Sequence, residues 1–142
     1  MLKHMFFGSV FINSIKANLG LATLRIFTGL SMAIGHGIGK IPPSEGFVKG
    51  VANMGFPGPQ FFAWAAGISE FGGGIFLALG LMTRPASLLI GITMFAAAFI
   101  RHAGDPFASK EKALLFLVTA LALTLIGAGK YSLDYFIHKK QR

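Results

Sequence analysis

Pro85-Ala86-Ser87-Leu88-Leu89-Ile90-Gly91-Ile92-Thr93-Met94-Phe95-Ala96-Ala97-Ala98-Phe99-Ile100 is the stretch that decides the fold. It carries no charge, and its only polar side chains are Ser87 and Thr93. A helix on a water-soluble globule shows a polar face at helical period. This stretch has none, so its surroundings are hydrocarbon. There every backbone group must be bonded within its own segment, which makes the stretch a helix.

Three more apolar runs accompany it. Residues 19–38 are interrupted by Arg25 and His36, residues 61–82 only by Glu70, and residues 113–129 are free of charge. A spanning helix needs about 20 apolar residues, within roughly 17–25. The two shorter runs are flanked by Arg84, Arg101, Lys110, Lys112 and Lys130, whose side chains snorkel to the headgroups. The expected fold is all-α: one domain over 1–142, a four-helix membrane bundle with spans near 18–38, 61–82, 84–101 and 111–129. Residues 1–16, with Phe6, Phe7, Val10 and Phe11, are expected to form a short N-terminal helix lying in the interface. A signal peptide competes for that segment because Lys3 precedes its apolar stretch, but no small-x-small cleavage site follows.

Composition agrees. The 142 residues are 54% hydrophobic and 13% charged, with a mean hydropathy of +0.66. Soluble domains average about 25% charged residues. A disordered chain, a disulfide-rich secreted domain and most soluble enzymes are excluded. The net charge of +8 does not point to nucleic acid, because the cations sit at the ends of apolar runs and form no basic stripe. Cysteine is absent, which removes thiolate catalysis, disulfide relay and Cys-ligated clusters. Any electrons must pass through a bound cofactor, a diffusible carrier or a partner.

Residues 39–60 hold Pro42, Pro43, Gly46, Gly50, Gly55 and Phe56-Pro57-Gly58-Pro59, so no continuous helix crosses them. This amphipathic connection is expected to fold over the bundle mouth. Four spans put both termini on one side, with Lys3, Lys16, Arg84, Lys130, Lys139, Lys140 and Arg142. The other side has Lys40, Lys49, Arg101, Lys110 and Lys112, so the balance favours cytoplasmic termini.

Ionisable groups inside a membrane are costly and mark functional candidates. At about 1.5 Å per residue, Arg25 and Glu70 come to depths differing by only about 5 Å. A pair between them is feasible, with either a structural role or a ligand or proton role. His36 follows Arg25 by eleven residues, about three turns, on the same helix face. Lys40, Arg101, His102, Asp105 and Glu111 fall with His36 at one end of the bundle. Their spacing matches no strong metal-ligand motif. Gly127-Ala128-Gly129-Lys130-Tyr131-Ser132-Leu133-Asp134 reads as a helix stop with membrane anchors.

Four pieces, in order and spacing over roughly 18–136, resemble the DoxX family of small bacterial membrane proteins. They are Gly35-His36-Gly37-Ile38-Gly39-Lys40, Gly55-Phe56-Pro57-Gly58-Pro59, the stretch from Glu70-Phe71-Gly72-Gly73-Gly74 to Gly80-Leu81-Met82-Thr83-Arg84, and the terminal Gly127–Asp134 motif. The resemblance implies a four-helix inner-membrane protein that is an oxidoreductase or a subunit of an oxidoreductase complex. It also implies recurring polar positions at His36, Lys40, Glu70 and Glu111. The expectation that follows is a membrane redox subunit with a quinone or similar apolar carrier among its helices. Glu70 or His36 would hydrogen-bond or exchange protons with the headgroup. Arg25 or Arg101 would steady negative charge, with Lys40, His102 and Glu111 at the same site. Two alternatives stand beside it: a non-enzymatic membrane anchor for a soluble redox enzyme, and a small solute or proton carrier that needs an oligomer or an internal cavity.

Overall fold

A computed structural model of the chain describes residues 10 and 12–139, which contain helices and turns and no strand. Phe6, Phe7 and Phe11 of the expected interfacial helix lie outside the described residues, as does the segment on which the signal-peptide reading turned. Val10 N–H donates to Ile126 O at 2.9 Å.

Helix α1 (Ile15–Met32) starts at Ser14, whose hydroxyl accepts from Ala17 N–H at 3.3 Å. It runs on through a π-helical turn, Ala33–Gly37, and a 3-10 turn, Ile38–Lys40. The short α2 (Glu45–Asn53) is capped by Ser44, which accepts from Phe47 N–H at 3.2 Å. Helix α3 (Pro59–Leu79) begins on a proline, whose missing N–H costs nothing in a first turn, and ends at Gly80 in the left-handed region. Helix α4 (Thr83–Ala96) also finishes in a π-helical turn, Ala97–Arg101. Helix α5 (Phe107–Ile126) and the short α6 (Leu133–Lys139) complete the chain.

Among the described residues, three helical stretches are long and apolar enough to cross a membrane: Ile15–Lys40, Pro59–Leu79 and Thr83–Arg101. The fourth run also forms a helix, α5, but Lys110, Glu111 and Lys112 occupy its start. Its charge-free part, 113–126, covers about 21 Å at ~1.5 Å per residue.

Helix α1 packs on α3, α3 on α4, α4 on α5, and α5 touches α1. Leu21, Met32, Leu77, Ile90, Met94, Leu117, Ala120 and Leu123 form the buried core. Phe27, Phe61 and Leu125 point outward and are at least 70% exposed, as side chains bathed in lipid would be. The approach of α1 to α3 is set by glycine. A Cβ at Gly74 would stand 2.7 Å from Gly29 O and 2.8 Å from Ala33 N, so only hydrogen fits. That approach lays the last turns of α1 along the middle of α3, where Glu70 is.

At the other end, Arg25 is 1% exposed. Its guanidinium donates to Leu77 O (2.7 Å), Ala78 O (2.8 Å) and Tyr131 O (2.7 Å). It therefore seats its charge on the carbonyl end of α3, where the helix dipole favours a cation. The anticipated Arg25–Glu70 pair does not form: Arg25 binds the last carbonyls of α3, whereas Glu70, mid-way along the helix, binds Lys40. Asp134 accepts from Met82 N–H (2.8 Å) and Thr83 N–H (2.9 Å) and so caps α4 from a distant part of the chain. Met82 is held with φ 47°, a left-handed conformation uncommon for a side-chain-bearing residue. The Gly127–Asp134 motif thus does more than stop a helix and anchor it.

Candidate ligand cavity

The site is built from Glu70 outward. Glu70 lies mid-way along α3, and its side chain is 3% exposed. Lys40 closes the 3-10 turn beyond α1, and its ammonium donates to both carboxylate oxygens, at 2.7 and 2.6 Å. Charge-assisted bonds of this length are among the stronger polar contacts a protein makes. The Phe47 ring of α2 lies 5.2 Å from the same ammonium, within cation–π range.

This pair forms part of the wall of a cavity of about 500 Å³. Helix α2 supplies Phe47, Val51 and Met54, so the 39–60 connection does fold over the bundle mouth. Helices α3 and α4 supply Phe62, Ser69, Leu89, Ile92 and Thr93. The Ser69 and Thr93 hydroxyls are 3.5 Å apart and put one polar rung in an otherwise apolar wall. His36 sits in the π-helical turn of α1 and meets the Phe116 ring edge-on, centroids 5.4 Å apart. It also feels the charges of Glu70, Lys40 and Lys112. Arg101 ends the second π-helical turn. Local widenings of this kind recur at functional sites because they redirect side chains that a regular helix would aim elsewhere.

Of the residues singled out from sequence, His36, Lys40, Glu70, Arg101 and His102 all line the cavity. Arg25 does not, being committed to carbonyls at the far end of α3. Glu111 is exposed on α5 and does not line it; the neighbouring Lys112 does. Asp105 stands outside the wall and binds His102 Nδ1 at 2.7 Å. Sequence reasoning missed Lys112. The signal was there: Ser109, Lys112, Ala113 and Phe116 follow helical spacing and share one face, from which Glu111 is turned by about 100°. Among the described residues, no group of three or more His, Asp or Glu side chains gathers as a metal site.

The DoxX family profile matches residues 20–103, which run from the second turn of α1 through α4 and include every cavity element before α5. The chain belongs to the DoxX family. Among its DoxX relatives, "Putative oxidoreductase CatD" of Bacillus subtilis (strain 168) is 30% identical over 125 residues, covering 87% of this chain and 91% of that one. "Inner membrane protein YqjF" of Escherichia coli (strain K12) is 30% identical over 129 residues, with 87% and 95% covered. No solved structure matches the chain. Three of the four polar positions that the DoxX resemblance implied, His36, Lys40 and Glu70, converge on the cavity, and Glu111 does not.

Proposed function

We propose that this multi-pass protein of the bacterial inner membrane supports electron transfer, and that its cavity binds a quinone. The carrying observation is a buried Glu70 paired with a half-buried Lys40 in the wall of an apolar cavity of about 500 Å³. The names of CatD and YqjF support the redox and inner-membrane parts of the reading.

The residues present suit a quinone. Its ring needs apolar walls, which Phe47, Phe62 and Phe116 offer, and its carbonyls need donors. Lys40 has three N–H donors and Glu70 engages two, so one remains for a carbonyl. Leu89 and Ile92 line the cavity and are also more than half exposed at the helix surface, so an isoprenoid tail would leave sideways into lipid. A bound quinone supplies two-electron, two-proton carrier chemistry. The chain's part is to orient the ring, exclude water and hold a proton at Glu70 or at the His36 ring. In this reading a soluble redox partner delivers the electrons, the chain having no thiol to relay them.

Helix α5 completes a fourth crossing in this reading, with both termini cytoplasmic. Leu115, Val118, Leu121 and Leu125 are exposed along it and give it a lipid-facing stripe. In protein reconstituted in nanodiscs, Glu70→Gln keeps the shape and removes the charge. It is expected to weaken 1,4-naphthoquinone binding about tenfold, because Lys40 loses the carboxylate that holds its ammonium toward the ring carbonyl. Unchanged binding and unchanged turnover with a ubiquinone analogue would sink the reading.

A further inference from the structure

The electrical balance of the cavity wall goes beyond what a neutral quinone requires. Lys40 and Glu70 cancel each other. His102 is taken by Asp105. Arg101 and Lys112 also line the cavity, and neither makes a salt bridge among the described residues. They come from different elements, the π-helical turn ending α4 and the second turn of α5, yet both reach the one cavity. The wall therefore carries two uncompensated cations beside apolar side chains. Both residues are exposed, so their charges stand at the rim of the cavity, where they draw an anion toward its apolar interior.

We infer that Arg101 and Lys112 form an anion-selecting head site, so that the cavity takes an amphipathic organic anion: an apolar ring or chain bearing one ionised oxygen. This rests on the quinone reading for the apolar part and adds the charge of the head. Leu89 and Ile92 open the body of the cavity toward lipid, whereas Arg101 and Lys112 stand at the ends of their helices. A membrane-dissolved molecule would thus enter tail-outward, with its acidic group on the two cations. A neutral quinone meets Lys40 in the same cavity and leaves Arg101 and Lys112 unused.

Two probes of nearly equal shape separate the possibilities. 2-Hydroxy-1,4-naphthoquinone is an anion at neutral pH, and 1,4-naphthoquinone is not. Titration calorimetry of the whole chain in an uncharged detergent is expected to show the anion binding about tenfold tighter or more. The double variant Arg101→Gln/Lys112→Gln is expected to bring the two affinities within about twofold while leaving the neutral compound's affinity unchanged. Both side chains are exposed, so the fold should tolerate the changes; the neutral compound's affinity checks that it has. Equal affinities in the parent chain, or a preference that survives in the double variant, would overturn the anion site and leave the quinone reading standing. No binding of either compound overturns both.

Discussion

Asp134 and Glu70 are both buried carboxylates, yet they do different work, and the difference lies in what each faces. Glu70 meets an ammonium beside open space. Asp134 meets two backbone N–H groups and no cavity. Replacing Asp134 with Ala leaves Met82 and Thr83 N–H unpaired in a buried turn and removes an anion near the Arg25 guanidinium. The expected cost is about 1–3 kcal/mol, read as a lower thermal midpoint in detergent, with naphthoquinone affinity unchanged because the cavity is at the other end of α3. A loss of binding at full stability would mean that the two ends are coupled. Sequence exposed the candidate residues at Glu70, His36 and Lys40, since charge in an apolar run is conspicuous. It did not expose the partners. Lys40 and Glu70 are 30 positions apart, and Asp134 caps a helix 51 positions before it. Arg25 and Glu70 had matching depth, but depth says nothing about direction around a helix axis.

At the scale of elements, the apolar runs marked each long helix because hydrocarbon allows the backbone no other solution. The π-helical turns at Ala33–Gly37 and Ala97–Arg101 left no such trace, for a single widened turn shifts the pattern by one residue. Those turns carry His36 and Arg101, so a regular-helix reading placed the residues at the right end of the bundle without their orientation. The glycines of α3 are separable by experiment. Gly74→Ala drives a methyl into the backbone of α1, whereas a Cβ at Gly72 meets nothing within 4 Å. The first is expected to destabilise by about 1–3 kcal/mol through overpacking. The second should be neutral or stabilising by up to about 1 kcal/mol from helix propensity. Because α1 carries His36 and Lys40 past Glu70, Gly74→Ala should also weaken naphthoquinone binding, and Gly72→Ala should not. Equal melting curves for the two variants would count against glycine as the spacer between α1 and α3.

For the whole molecule the open quantity is parity. Three stretches pass the length and hydropathy demands of a span outright, while α5 brings three charged residues at its start and a charge-free part of about 21 Å against a hydrocarbon core of about 30 Å. Snorkelling of Lys110 makes up length at one end, and Lys130 lies just beyond the other. The ring of contacts α1–α3–α4–α5–α1 argues the same way, since a helix that packs along α4 shares its depth. The chain has no cysteine, so single thiols can be introduced without background. Ser44→Cys and Gly104→Cys should react with a membrane-impermeant maleimide added outside intact cells, because both positions are exposed at the cavity end of the bundle. Lys16→Cys and Tyr131→Cys, exposed at the opposite end, should react only after the membrane is opened. That pattern gives four crossings with cytoplasmic termini. Labelling of Tyr131→Cys from outside alongside Gly104→Cys, with Lys16→Cys protected, would mean that α5 lies on the membrane rather than in it. The cavity would then face the outer surface with one wall in water.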